Sequence, residues 1–286
     1  MRIRATMAAA TVSGALALTA FVVPAAQADQ APGFHKPEAA DRFHTAPQKA
    51  RTALAADEPT IGKVTINGGS DIAVGTTNKK NFTVSVTASH PEGIADAYVD
   101  FWHGTNVESD IDGLFFSNEE EATCTATSAT TSTCKLTFTV DPQVDLYKNA
   151  LAGTWHVTVG ALAGDGTSVY WNDFHTTARV QRYSKLTVNA SPEPVKKGKT
   201  VTVVGKLSRA NWEDHKYHGY TGQPVKLQFR KKTSTTYSTL KTIKSNSTGN
   251  LKTTSTATTS GYWRYYFTGT STTPAVKAAG DYVAVK

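Results

Sequence analysis

Only two cysteines occur in 286 residues, and neither flank of the pair carries a CxxC or HxxxH spacing. A cysteine-based metal site, which needs further ligands close by, has nothing to build on. After residue 28 there is no second long apolar run, so a bilayer span of about 20 residues is lacking there. No 3.6-residue hydrophobic period is sustained, which argues against a helical domain. The signatures GxSxG, HExxH, GxGxxG and the phosphate-binding loop are missing, and no carboxylate pair stands out as acid and base. No nucleic-acid motif is present, which argues against DNA or RNA as partner. These absences favour a protein that binds or organises over one that catalyses, with an unrecognised hydrolase as the enzymatic alternative.

What is present begins with an export signal. Arg2 and Arg4 precede a run of apolar and small residues over 7–23, Pro24 interrupts it, and Ala26-Gln27-Ala28 supplies the small residues a signal peptidase reads. The alternative, a retained membrane anchor, suits the short run poorly. Residues 1–28 are expected to be removed, leaving a secreted, extracellular chain without a membrane anchor.

Cys124 and Cys134 flank the polar stretch TATSATTST, whose midpoint is Ala129. A hairpin turning there sets the two thiols opposite each other, and in an oxidising compartment the expectation is a cross-strand disulfide. Residues 29–58 are rich in Ala, Pro and single charges and read as a flexible, disordered leader. From Pro59 onward Val, Thr, Ile and aromatic residues alternate with polar ones between Gly, Asn, Asp and Pro turns. Two groups of seven short strands follow, over 59–181 and 182–286. In the first, Phe82, Val84 and Val86, then Trp155, Val157 and Val159, mark a buried face; one helical turn is expected within 145–151. In the second, Val201, Val203, Gly205 and Leu207, then Val225, Leu227 and Phe229, then Trp263, Tyr265 and Phe267, point inward. The expected fold is all-β: two tandem immunoglobulin-like β-sandwich domains after a signal peptide and a flexible leader.

The stretch 191–205, SPEPVKKGKTVTVVG, resembles the opening of bacterial immunoglobulin-like repeats, where a Pro turn and Lys-Gly precede the second strand. With LQFRKK at 227–232 and GYWR at 261–264, the chain after about residue 59 resembles a family of exported actinomycete proteins built from two such modules. That resemblance implies the fold and export. It implies no settled activity, although some members of the family carry the label calcium-binding protein.

Charge divides between the modules. Residues 60–181 hold 6 basic and 14 acidic residues, a net of −8, whereas 182–286 hold 18 and 4, a net of +14. One explanation is solubility and mutual attraction of the halves. The other is a separate partner for each: a cation for the acidic half, and an anionic cell-wall polymer or glycan for the basic one. The cation reading has a candidate loop at 108–119, ESDIDGLFFSNE. Its spacing matches a twelve-residue calcium loop, with Glu108, Asp110 and Asp112 as oxygen ligands, Gly113 as the turn, the Leu114 carbonyl, and Glu119 closing the site. It departs from the pattern in Glu at the first position, Phe116 at the ninth and strands in place of flanking helices; the alternative is a solvated connection. Trp212, Tyr217 and Tyr220 fall with His215 and His218 in one polar loop. They form either a surface on which sugars stack or a cover over the sandwich end. His103, His156 and His175 lie on expected strands with no spacing that suggests a metal set.

Overall fold

The computed structural model describes residues 35–44 and 58–286. The expected signal peptide and the rest of the leader lie outside the described residues. A single helical turn, α1 (Ala39–Arg42), precedes the sandwiches. The first module is built from β1 (Thr60–Ile66), β2 (Ile72–Val74), β3 (Lys80–Ser89), β4 (Ile94–Asn106) and β5 (Asp110–Phe116). It continues with β6 (Thr123–Ala126), β7 (Thr131–Val140), β8 (Gly153–Ala163) and β9 (Val169–Arg182). One sheet has the order β1-β3-β7-β6 and the facing sheet β2-β9-β8-β4-β5, with β2 parallel to β9. Four strands opposed to an extended three-stranded centre is the strand order of an immunoglobulin-type sandwich.

The second module comprises β10 (Ser184–Leu186), β11 (Asn189–Ser191), β12 (Thr200–Asn211), β13 (Lys216–Gly219) and β14 (Pro224–Lys231). After these come β15 (Ser238–Lys244), β16 (Asn250–Thr256), β17 (Gly261–Phe267), β18 (Val276–Lys277) and β19 (Asp281–Val283). Strand β12 pairs with β11 and β16 along its first half and with β10 and β13 along its second. The opposing sheet runs β15-β14-β17, with β18 and β19 both against β17.

Alternation selects the cores. Phe82, Val84, Val86, Trp155, Val157 and Val159 are all buried in the first module, and Val201, Val203, Leu207, Val225, Leu227, Trp263, Tyr265 and Phe267 in the second. The helical turn expected within 145–151 is a 3-10 turn at Asn149–Leu151 that buries Leu151. Two expectations require correction. Residues 110–116 are a strand paired with β4, and 216–219 are a strand paired with β12, so both presumed loops are hairpin arms.

A third correction concerns the leader. Residues 35–44 lie against the outer face of the β4-β8-β9 sheet. Lys36 reaches Asp100 and Asp173, Arg42 pairs with Asp96 at 3.0 Å, and the buried Phe43 meets Trp171 edge-on. The segment has no apolar period because it is held by three point contacts, not by an amphipathic face. Its partners lie more than 50 residues away in sequence, where no local pattern reveals them.

Candidate functional site

The expected calcium loop does not form. Glu108 sits in the β4-β5 turn, where Asn106 Oδ1 accepts its backbone N–H at 2.8 Å. Asp110, Asp112 and Leu114 are then carried away from that turn along β5, an extended strand that rises about 3.3 Å per residue. Asp110 and Leu114 are thus roughly 13 Å apart along the strand, far more than the ~5 Å that can separate two oxygens on one calcium ion. The Leu114 position pairs with Trp102 across the ladder. Three of the four candidate carboxylates have another partner. Asp110 Oδ2 accepts from Thr105 N and Oγ1, and Glu119 accepts from Thr137 N at 2.7 Å and Thr137 Oγ1 at 2.5 Å. Asp112 bridges His103 and Lys148 at 2.5 and 2.7 Å. Burial raises the affinity of the Asp112 carboxyl for a proton, but the hydrogen bonds from Lys148 and His103 outweigh it and hold the group below its ordinary range. Gly113 is required by packing, not by a turn: a Cβ there would lie 2.6 Å from Trp155 Cη2. Among the described residues no group of three or more His, Cys, Asp or Glu could hold a metal ion.

The cysteine expectation is met. Cys124 and Cys134 are directly opposite in the β6-β7 hairpin and joined as a disulfide. Cys134 is buried in the core. Closing a loop of this length restricts the unfolded chain by about 2–3 kcal/mol. Reduction, or Cys124→Ser with Cys134→Ser, should therefore lower the free energy of unfolding by that amount, read from urea unfolding with midpoint and slope both fitted.

The aromatic loop is not an open ligand surface. Trp212 is fully buried, and its indole Nε1 donates to the Gly75 carbonyl at 3.0 Å. It belongs to the first module's core although the second module carries it. Around it, Asn149 Oδ1 accepts from Trp212 N, Glu213 Oε1 accepts from Asn149 N, and Arg182 Nε donates to the Ala210 carbonyl at 2.6 Å. Gln181 Nε2 reaches the Thr270 carbonyl, while Arg182 N bonds Thr272 O. Tyr217 is half-buried beneath Lys185, whose Nζ lies 3.7 Å from the ring centre, and Tyr220 is covered by Arg209 at 4.0 Å. The loop joins the modules, and its aromatic area is used in doing so.

A different surface collects unpaired charge. Because Trp263, Tyr265 and Phe267 face the second core, their neighbours on β17, Tyr262, Arg264 and Tyr266, face outward. On β14 the outward set is Lys226, Gln228 and Arg230, opposite Tyr266, Arg264 and Tyr262 in turn. Lys277 on β18 pairs with Tyr266, and Tyr282 on β19 pairs with Tyr262. The outcome is a lattice of cations on rings. Arg230 lies 3.8 Å from the Tyr262 ring, Arg264 lies 3.7 Å from Tyr237, and Lys277 and Lys226 flank Tyr266 at 5.3 and 6.0 Å. Hydrogen bonds fix both guanidinium groups: Arg264 Nε donates to Gln228 Oε1 at 2.9 Å, and Arg230 Nη1 to the Ser234 carbonyl at 2.7 Å.

Among the described residues, no carboxylate lies within ion-pair distance of these cations. The module's acids are placed elsewhere. Asp281 accepts from Ala190 N at 2.6 Å, Asp214 from His218, and Glu213 from Asn149; Glu193 is in the segment leading to β12. Rings hold the cations against the outer face of the sheet and leave their outer hydrogens for an anion. The sequence contains this face as the complement of its inward positions: once Trp263, Tyr265 and Phe267 point in, Tyr262, Arg264 and Tyr266 point out. Their pairing with Lys226, Arg230 and Lys277 needs the register.

Comparison with known proteins adds the following. Residues 71–161 match the model of a family described as "Family of unknown function (DUF5707)". That segment runs from β2 through most of β8. No curated protein matches the chain. Among solved structures, a chimeric titin Z1Z2 tandem is similar at 16% identity, covering 80% of this chain and 99% of its own, with a TM-score of 0.26. The D0-D1 domain of intimin is similar at 17% identity over 78% and 98%, also with a TM-score of 0.26. The full ectodomain of mouse nectin-like molecule 4 is similar at 12% identity over 80% and 65%, with a TM-score of 0.22.

Proposed function

We propose that this chain is an exported, non-catalytic protein of two coupled immunoglobulin-like modules that binds an anionic polymer or anionic glycan through the outer face of the β15-β14-β17 sheet. The observation that supports it is the coincidence of Lys226, Arg230, Arg264 and Lys277 with Tyr237, Tyr262 and Tyr266 on one flat face free of carboxylates. A repeating anion, such as a phosphate-linked or uronic-acid polymer of a cell envelope, matches a row of cations held at sheet spacing. Tyr266, whose flanking lysines stand off at 5.3 and 6.0 Å, offers apolar area for its sugars, whereas Tyr237 and Tyr262 hold the guanidinium groups in place. The disulfide suits an oxidising compartment, and among the described residues no helix is long and apolar enough to cross a membrane.

Binding of this kind is driven by counterion release and weakens with salt. With about four cations engaged and a single-chain slope of ~0.7 per contact, affinity should fall roughly 50-fold between 0.05 and 0.2 M salt. Titrating the full chain with a soluble polyphosphate and with a neutral glycan of similar length, at both salt concentrations, measures this. Affinity for the neutral glycan equal to that for polyphosphate, or insensitivity to salt, would overturn the reading.

A further inference from the structure

We propose that Lys36 and Asp100 condense into an intramolecular amide, so that the leader is joined covalently to the first module. Lys36 Nζ lies 2.9 and 2.8 Å from the two carboxylate oxygens of Asp100 and 2.9 Å from Asp173 Oδ1, and it also contacts Thr158 Oγ1. Both partners are out of water: the Lys36 side chain is 5% exposed and that of Asp100 not at all. The cluster adjoins an aromatic wall in which Tyr98 stacks on Trp171 and Phe43 meets Trp171 edge-on. Tyr98 also donates its hydroxyl to Asp100 Oδ2 at 2.8 Å.

An ion pair in water does not condense, because the ammonium has no lone pair and the carboxylate repels a nucleophile. Burial changes that. Removing water penalises both charges, so the neutral amine and the neutral acid approach the ion pair in energy. Burial pushes the Asp100 carboxyl up towards its neutral form, against the pull of Lys36. The other lysine-carboxylate pairs among the described residues are wetter: Lys79 is 63% exposed beside Asp141, and Lys148 is 34% exposed beside Asp112. Arg42 beside Asp96 carries a guanidinium, which stays charged and is no nucleophile.

The groups needed for the step surround the pair. Asp173, 28% exposed, accepts a proton from Lys36 Nζ. The freed lone pair attacks Cγ of Asp100, forming the N–C bond. Asp100 Oδ2, held by the Tyr98 hydroxyl, remains as the amide oxygen. Thr158 Oγ1 lies 3.3 Å from Asp173 Oδ1 and also bonds Asp100, so it can relay the proton to the departing Oδ1. The C–Oδ1 bond breaks and that oxygen leaves as water with the two protons lost by nitrogen. One amide and one water replace one ammonium and one carboxylate, and no oxidant or reductant is required.

Intact mass spectrometry of the full chain, purified folded, then denatured and reduced, tests this. The expected mass is that of the processed sequence less one water, and proteolysis should give one branched peptide joining the Lys36 and Asp100 segments. Lys36→Arg should restore the full mass. Asp173→Asn, which keeps the shape but removes the proton acceptor, should leave most molecules unlinked. A wild-type mass without the loss, in a sample that melts cooperatively, would overturn the proposal and leave a buried ion pair. That measurement needs no variant to fold.

Discussion

Trp212→Ala should cost about 3–5 kcal/mol, the usual loss when a fully buried indole is truncated, and should replace one cooperative unfolding transition by two. The side chain is anchored in the second module and buried in the first module's core, with its N–H on the Gly75 carbonyl. Truncation therefore opens a cavity in one module and removes the fastening between both. The Asn149, Glu213 and Arg182 hydrogen bonds around it remain, but each contributes only about 1 kcal/mol net. Differential scanning calorimetry of the full chain reads the effect as two heat-absorption peaks. Trp212→Phe separates the contributions: it retains most of the buried area, loses the Gly75 hydrogen bond, and should keep a single transition. One unchanged transition in Trp212→Ala would mean that the modules are coupled elsewhere.

The second large effect concerns binding. Reversing two charges at the centre of the cationic face, Arg230→Glu with Arg264→Glu, changes the local charge by four. At about 1 kcal/mol per basic residue near an anionic surface, affinity for polyphosphate should drop on the order of 100- to 1,000-fold. Net charge alone predicts a similar loss wherever charges are reversed. The control is therefore Lys206→Glu with Lys252→Glu, two exposed lysines on the β12-β16 ladder, where Lys206 is opposite Asn250 and Lys252 opposite Val204. That variant has the same net charge and should lose less than tenfold at 0.15 M salt, where screening acts over about 8 Å. Equal losses in the two variants would point to bulk charge and remove the face from consideration. Each variant's melting temperature should be checked, because Arg264 also bonds Gln228 within the sheet.

Much of this molecule follows from local pattern. Period-two alternation selected the all-β fold and the inward residues of both cores, because a strand sends successive side chains to opposite faces regardless of what surrounds it. The disulfide was equally readable, since its partners share one short hairpin and the turn fixes their register. Spacing misled at 108–119. Carboxylates at calcium-loop intervals converge only if the backbone turns at Gly113, and there the backbone is instead drawn straight by pairing with β4 over Trp155. The aromatic loop misled for a related reason: nothing near Trp212 in sequence shows that its pocket lies 137 residues away at Gly75.

Sequence by itself therefore determined which side of the five main core strands is buried, which cysteines meet, and how charge divides between the halves. Tertiary structure alone decided what the outward residues face. It aligned Lys226, Arg230 and Lys277 with tyrosines of other strands, sank Trp212 into the neighbouring module, and brought Lys36 to Asp100 across 64 residues. The physical reason is one of range. Backbone alternation is set by a residue and its immediate neighbours. The pairing of distant side chains depends on how strands are ordered and how modules meet, and no short window of sequence contains that information.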